Sequence, residues 1–252
     1  MASVVNEQMK RNSILFWYGI FNFLLLVFCV GFSLFDDTQV SGRNAWLLPM
    51  KYYFSVGIFI LSMGVYLFYL NNVFQRNVLI IGYLLTTFIQ TSIVLLQSVR
   101  GVSSFYYPQS PFDKLVFGFQ TVSHIFFILL IVVTTFLFYF QKKNSKSQHF
   151  TWGIRMGMII FLIGILIGVF MLIQNYYASG ISNVFLENVV LSKQKHGNVK
   201  IPFFLGIHGL QIIPLLSYYF FQNKRQVVNF TLLYFIMMVV FLFMAVINLK
   251  IF

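Results

Sequence analysis

Acidic residues are scarce: Asp and Glu together number 5 in 252, and charged residues of both signs make up only 9%. A soluble domain carries roughly a quarter charged residues, so this chain lacks the polar groups needed to cover a surface in water. Asp36, Asp37, Asp113 and Glu187 fall in loops or at the ends of apolar runs, and Glu7 in the N-terminal tail. The buried carboxylate that ordinarily couples a transporter to protons or sodium is therefore missing, as is the aspartate pair of an intramembrane aspartyl protease. Cysteine is nearly absent too. Cys29 stands alone, which excludes an intramolecular disulfide and a thiolate metal cage, and within an apolar run it reads as a small hydrophobe.

What fills the chain instead is apolar: 59% hydrophobic residues, with 33 Phe and 14 Tyr. Lipid is the solvent that suits such a composition. About 20 residues cross a bilayer as a helix, and seven apolar runs of that order stand out. They cover Ile14–Phe35, Trp46–Leu70, Val78–Ser98, Leu115–Phe140, Gly153–Gln174, Pro202–Phe221 and Val227–Asn248. These runs predict an all-α, polytopic transmembrane helical bundle of seven spans forming a single domain over residues 1–252. The first run follows Lys10 and Arg11 but is too long for a signal peptide and lacks a small-residue cleavage site, so it reads as a retained span.

The net charge of +12 does not point to nucleic acid. Lys and Arg lie almost entirely between the apolar runs, where they set topology and meet anionic lipid, and no basic stripe tracks a phosphate backbone. Total basic charge is nearly equal on the two sides. The compact clusters QKKNSK and QNKR beside short loops favour an N-in, C-out orientation. Two longer connections then lie outside: Arg100–Lys114, with YYPQSP, and Asn175–Lys200, whose SNVFLENVVL suits a short surface helix. No soluble domain or internal repeat is visible. Gly164 and Gly168 form a G-x-x-x-G pair in span five, Gly57 and Gly64 lie one heptad apart in span two, and both pairs mark faces for close helix contact. Pro214, inside span six, frees a backbone carbonyl and bends the helix.

Polar residues left within apolar spans are costly, so they are the strongest functional pointers available. His124 in GFQTVSHIFF and His208 in FFLGIHGLQIIPLL are the two histidines inside spans. At the rise of an α-helix they sit about 13 Å and about 9 Å below the outer ends of their spans, hence at a shared level. Gln120 is one turn from His124, Gln211 lies three residues beyond His208, and Gln90 falls at similar depth in span three. Together Gln90, Gln120, His124, His208 and Gln211 are expected to form a polar pocket in the outer half of the bilayer. Ser123, Thr86 and Thr87 lie near it, and Arg100, Gln174 and Asn175 at its mouth. Asn22 is expected to bond a neighbouring helix, and the loop residues His149 and His196 to be solvated.

Three chemistries fit that set. His124 and His208 suit axial ligation of one haem b, or shared ligation of one metal ion, since helices of a bundle can present an imidazole from each side. Gly206, Gly209 and Gly118 would leave room for the macrocycle, and the glutamines would tune the cofactor or bind a quinone headgroup. Alternatively, the histidines and glutamines hydrogen-bond one another and hold the helices in register. The third option is a pocket for a small polar ligand. The last two describe a non-enzymatic subunit with membrane partners, a receptor or an uncoupled facilitator. No H-E-x-x-H helix, phosphate-binding Gly-rich loop or mid-membrane Lys for a retinal Schiff base occurs, so zincin, ATPase and rhodopsin chemistries are excluded.

The segment GIHGLQIIPLL resembles a Gly-x-His-small-Leu-Gln-x-x-Pro-Leu signature of uncharacterised bacterial multi-span membrane proteins. The resemblance covers one helix of seven and implies a bacterial inner-membrane protein without naming a reaction. In those proteins a basic residue and a second histidine precede the motif. Lys200 stands in the first place, whereas Phe203 occupies that of the histidine.

Overall fold

A computed structural model of the chain describes residues 12–40, 42–102, 110–141, 148–178 and 199–247, with side chains left out for 172–178. The SNVFLENVVL segment, most of YYPQSP, Lys142, Lys143, Lys146 and His196 lie outside the described residues, as do the Gln174 and Asn175 side chains. Seven helices among the described residues are long and apolar enough to cross a membrane. They are α1 (Ser13–Ser33), α2 (Leu47–Tyr66), α3 (Val73–Val99), α4 (Pro111–Phe140), α5 (Gln148–Ala178), α6 (Lys200–Tyr219) and α7 (Lys224–Val246). The all-α architecture expected from the apolar runs is thus present. The chain divides into two compact units, Met1–Leu137 and Phe138–Phe252.

Several helices begin ahead of their apolar runs because capping residues sit there. The Asn72 side-chain oxygen accepts from the amides of Phe74 (2.9 Å) and Gln75 (3.2 Å), so α3 starts five residues before the hydropathy boundary at Val78. At α4 the Ser110 hydroxyl accepts from the Asp113 amide (3.1 Å), and the Asp113 carboxylate accepts from the Ser110 amide (3.4 Å). This is a reciprocal capping box with Pro111 at the first helical position. Asn223 caps α7 in the same manner, accepting from the Gln226 amide at 3.1 Å.

In the first unit α1 lies closely against α2. A Cβ on Gly19 would fall 2.7 Å from Leu61, and one on Gly57 would meet the Phe23 ring at 3.1 Å, so the glycines admit the neighbouring side chains. Cys29 is buried with Trp46 and Tyr53, as a small hydrophobe would be. Among the described residues Asn22 bonds no neighbouring helix. Its amide nitrogen donates to Tyr18 O on its own helix (2.8 Å), because a carbonyl one turn back is the nearest acceptor.

The α1–α2 connection is more ordered than its sequence suggests. Gln39–Val40 (β1) and Arg43–Asn44 (β2) pair antiparallel around Gly42, whose φ of 74° is a left-handed conformation that glycine adopts without penalty. The Asp36 carboxylate accepts from the Thr38 amide (3.0 Å) and hydroxyl (2.6 Å) and from the Trp46 indole N–H (2.8 Å). These donors favour the anion and hold the carboxyl below its ordinary pKa.

The second unit is built on the α5–α6 contact. Gly164 of α5 faces Gly206 of α6 so closely that a Cβ on Gly164 would fall 2.6 Å from the Gly206 carbonyl carbon. Gly153 and Gly157 take Pro214 and Ser217, and Gly168 takes the Phe203 ring. The G-x-x-x-G pair read from sequence is one half of a longer glycine seam that lets two backbones approach. Ile160, Ile213, Tyr234 and Met238 form the core beside it.

Candidate functional site

A polar seam runs along the facing sides of α3 and α4 in the first unit. Tyr83 and Thr134 hydroxyls meet at 2.7 Å, and Ser123 donates to Thr86 O at 3.0 Å. At the far end Arg100 donates to Gln97 (2.6 Å) and pairs with Asp113 (2.5 Å), while Gln97 also donates to Asp113 (3.3 Å). Ser123 opposite Thr86 and Asp113 opposite Gln97 fix the antiparallel register of the two helices. That register places Gln90 at the level of Gln120.

The centre of the seam holds His124. Its Nδ1 lies 2.8 Å from Gln120 O. A carbonyl only accepts, so the neutral ring carries its proton on Nδ1 and its lone pair on Nε2. Nε2 lies 3.1 Å from the Tyr52 hydroxyl of α2, which also donates to Gln90 Oε1 at 3.0 Å. Two acceptors therefore compete for one hydroxyl proton. Gln90 is 3% exposed and Gln120 2% exposed. The Gln90 side-chain nitrogen and both polar atoms of the Gln120 amide have no hydrogen-bond partner among the described residues. A buried amide left unpaired costs about 1–3 kcal/mol, which marks this level of the seam as one where an added donor and acceptor would be taken up.

Gln90, Gln120, His124 and Arg100, expected from the sequence to share a pocket or its mouth, all belong to this seam. Arg100 is engaged in the ion pair with Asp113 rather than standing open at a pocket mouth. Tyr52, Gln97 and Asp113 were not anticipated as members. Tyr52 is one of 14 tyrosines and nothing in its neighbourhood distinguishes it. Asp113 reads as a loop residue until the capping box places it in the first turn of α4.

His208 and Gln211 belong to the second unit. His208 Nδ1 lies 2.9 Å from Phe204 O, so this imidazole is also the Nδ1–H tautomer, and it stacks on the Phe204 ring with centroids 3.9 Å apart. The Gln211 amide nitrogen, oriented by hydrogen-bonding requirement, donates to Ile207 O (3.0 Å) and His208 O (3.3 Å). It is turned onto its own helix.

The residues suit a haem or metal ion poorly. The iron-binding atom of His124 would be Nε2, which faces the Tyr52 hydroxyl. The glycines expected to make room for a macrocycle are used otherwise: a Cβ on Gly206 would meet Gly164, and one on Gly209 would meet Ile160 at 2.4 Å. Gly118 opens outward, with nothing within 4 Å of its Cβ position. Among the described residues no group of three or more His, Cys, Asp or Glu is gathered. No family model, no curated protein and no solved structure matches the chain.

Proposed function

We propose that this chain is a bacterial-type inner-membrane protein, oriented N-in and C-out, that binds a small neutral hydrogen-bonding molecule at the Tyr52–Gln90–Gln120–His124 level of its first unit. It does so without carrying out chemistry of its own. The carrying observation is the Gln120 amide, buried to 2% exposure with neither its donor nor its acceptor paired among the described residues. A ligand bearing both a donor and an acceptor matches that amide and the contested Tyr52 proton beside it. The site has no charged member, since Arg100 is paired with Asp113, so a neutral ligand costs less to desolvate than an ion. The GIHGLQIIPLL signature and the basic clusters QKKNSK and QNKR support the compartment and orientation.

The test is equilibrium binding of neutral probes to purified protein in nanodiscs, with a short-chain benzoquinone and its hydroquinone as the first pair. Saturable binding weakened roughly tenfold in Gln120→Leu supports the reading, as the loss of one or two buried hydrogen bonds implies. Binding unaffected by Gln120→Leu and His124→Leu sinks it. A second reading, haem or metal ligation, is favoured by one observation: both span histidines hold Nδ1–H on a backbone carbonyl, an arrangement metal-binding imidazoles use. Oxidised and reduced absorption spectra of the same preparation decide it, since a Soret band lost in His124→Ala and His208→Ala would replace the ligand reading.

A further inference from the structure

At one end of the second unit a buried arginine has no carboxylate partner among the described residues. Arg155 is 8% exposed, and its Nε donates to Phe138 O at 2.8 Å. Phe138 lies in the last turn of α4, where carbonyls have no intrahelical donor. The bond leaves four further guanidinium N–H groups, for which the described residues provide rings rather than acceptors. The guanidinium carbon lies 5.1 Å from the Trp152 ring centroid and 5.7 Å from that of Tyr139. Of the five acidic residues only Glu187 belongs to this unit, and it lies outside the described residues. No described carboxylate of the unit therefore balances Arg155.

A second cation shares the same ring. The Lys224 ammonium lies 3.8 Å from the Trp152 centroid, so the two charged centres are no farther apart than the sum of their distances to it. Like charges this close repel unless an anion lies between or beside them. Lys224 opens α7, so that helix also directs the positive end of its dipole here. Trp152 is suited to the headgroup level of a bilayer.

We propose that Arg155, Lys224 and Trp152 form a phosphate-binding site that takes the headgroup phosphate of an anionic phospholipid. The guanidinium would bind two phosphate oxygens in its planar fork, the ammonium would supply a point charge, and the indole would keep both cations at the interface. The same chemistry would accept free inorganic phosphate, and the experiment separates the two sources.

The full-length protein is purified in neutral detergent and mixed with phosphatidylglycerol and phosphatidylcholine, and retained lipid is counted by native mass spectrometry. Phosphatidylglycerol is expected to be retained preferentially. Lys224→Gln, an exposed position that leaves folding intact, should lower the preference about fivefold, which corresponds to one charge-assisted contact, and Arg155→Gln should lower it further. Arg225→Gln, the adjacent exposed cation, should leave it unchanged. Inorganic phosphate that fails to displace the lipid identifies the headgroup as the ligand, whereas equal competition identifies a general phosphate site. No preference for phosphatidylglycerol, or a preference untouched by Lys224→Gln, overturns the proposal.

Discussion

The Tyr52 hydroxyl stands 3.1 Å from His124 Nε2 and 3.0 Å from Gln90 Oε1, and so joins α2, α3 and α4 at one point inside the first unit. Tyr52 is the only one of the three polar groups on α2, and its single proton serves two acceptors. Replacing it with Phe keeps the ring and removes the shared donor. Tyr52→Phe is expected to destabilise the protein by roughly 1–3 kcal/mol, the cost of leaving buried polar groups short of a partner. Denaturation of the detergent-solubilised protein checks this, and a variant as stable as the parent would show that the hydroxyl is not structurally important.

The glycine seam of the second unit predicts a strong contrast between positions. At Gly164 a Cβ would fall 2.6 Å from backbone of Gly206, which cannot rotate aside as a side chain can. Gly164→Ala is expected to force the helices apart and lower the unfolding temperature markedly, with Gly164→Leu worse. Gly118→Ala meets nothing within 4 Å and is expected to be neutral or slightly stabilising, since Ala is the better helix former. Comparable melting temperatures for Gly164→Ala and Gly118→Ala would contradict the packing described.

The Asp36 loop should respond to acid. Its folded-state pKa is depressed by the Thr38 hydroxyl, the Thr38 amide and the Trp46 indole, in that order. A depressed carboxylate contributes stability that is fully present above the unfolded pKa, near about 4, and is lost as pH falls through the lower folded value. Trp46 emission should therefore stay constant from neutral pH to about 4 and change below it. In Asp36→Asn, which keeps one acceptor oxygen, that acid-induced change should disappear.

The Arg100–Asp113 pair offers a double-mutant test. Arg100 is 32% exposed and Asp113 is buried, and the two are joined with Gln97 in one network. Arg100→Gln and Asp113→Asn are expected to be non-additive, the second change costing less in the background of the first. Of the single changes, Arg100→Gln should be the costlier because it leaves a buried carboxylate without its cation. Additive effects would mean that the pair contributes nothing beyond its members.

Hydrophobicity and charge placement determined the class of this protein by themselves. Seven runs of apolar residues can be helices in lipid and little else, because backbone groups have no other partners there. The Gly164/Gly168 spacing located a contact face, and scarce polar residues in the spans pointed to Gln90, Gln120 and His124. Tertiary structure decided what these groups meet. The spans are apolar nearly all round, so their sequences carry no rotational signal, and which side of α2 faces α3 and α4 is fixed only when side chains interlock. That is why Tyr52 was invisible as a partner of His124, why Gly206 and Gly209 proved to receive Gly164 and Ile160 rather than a macrocycle, and why Arg155, a basic residue near the start of an apolar run, is a buried cation over Trp152.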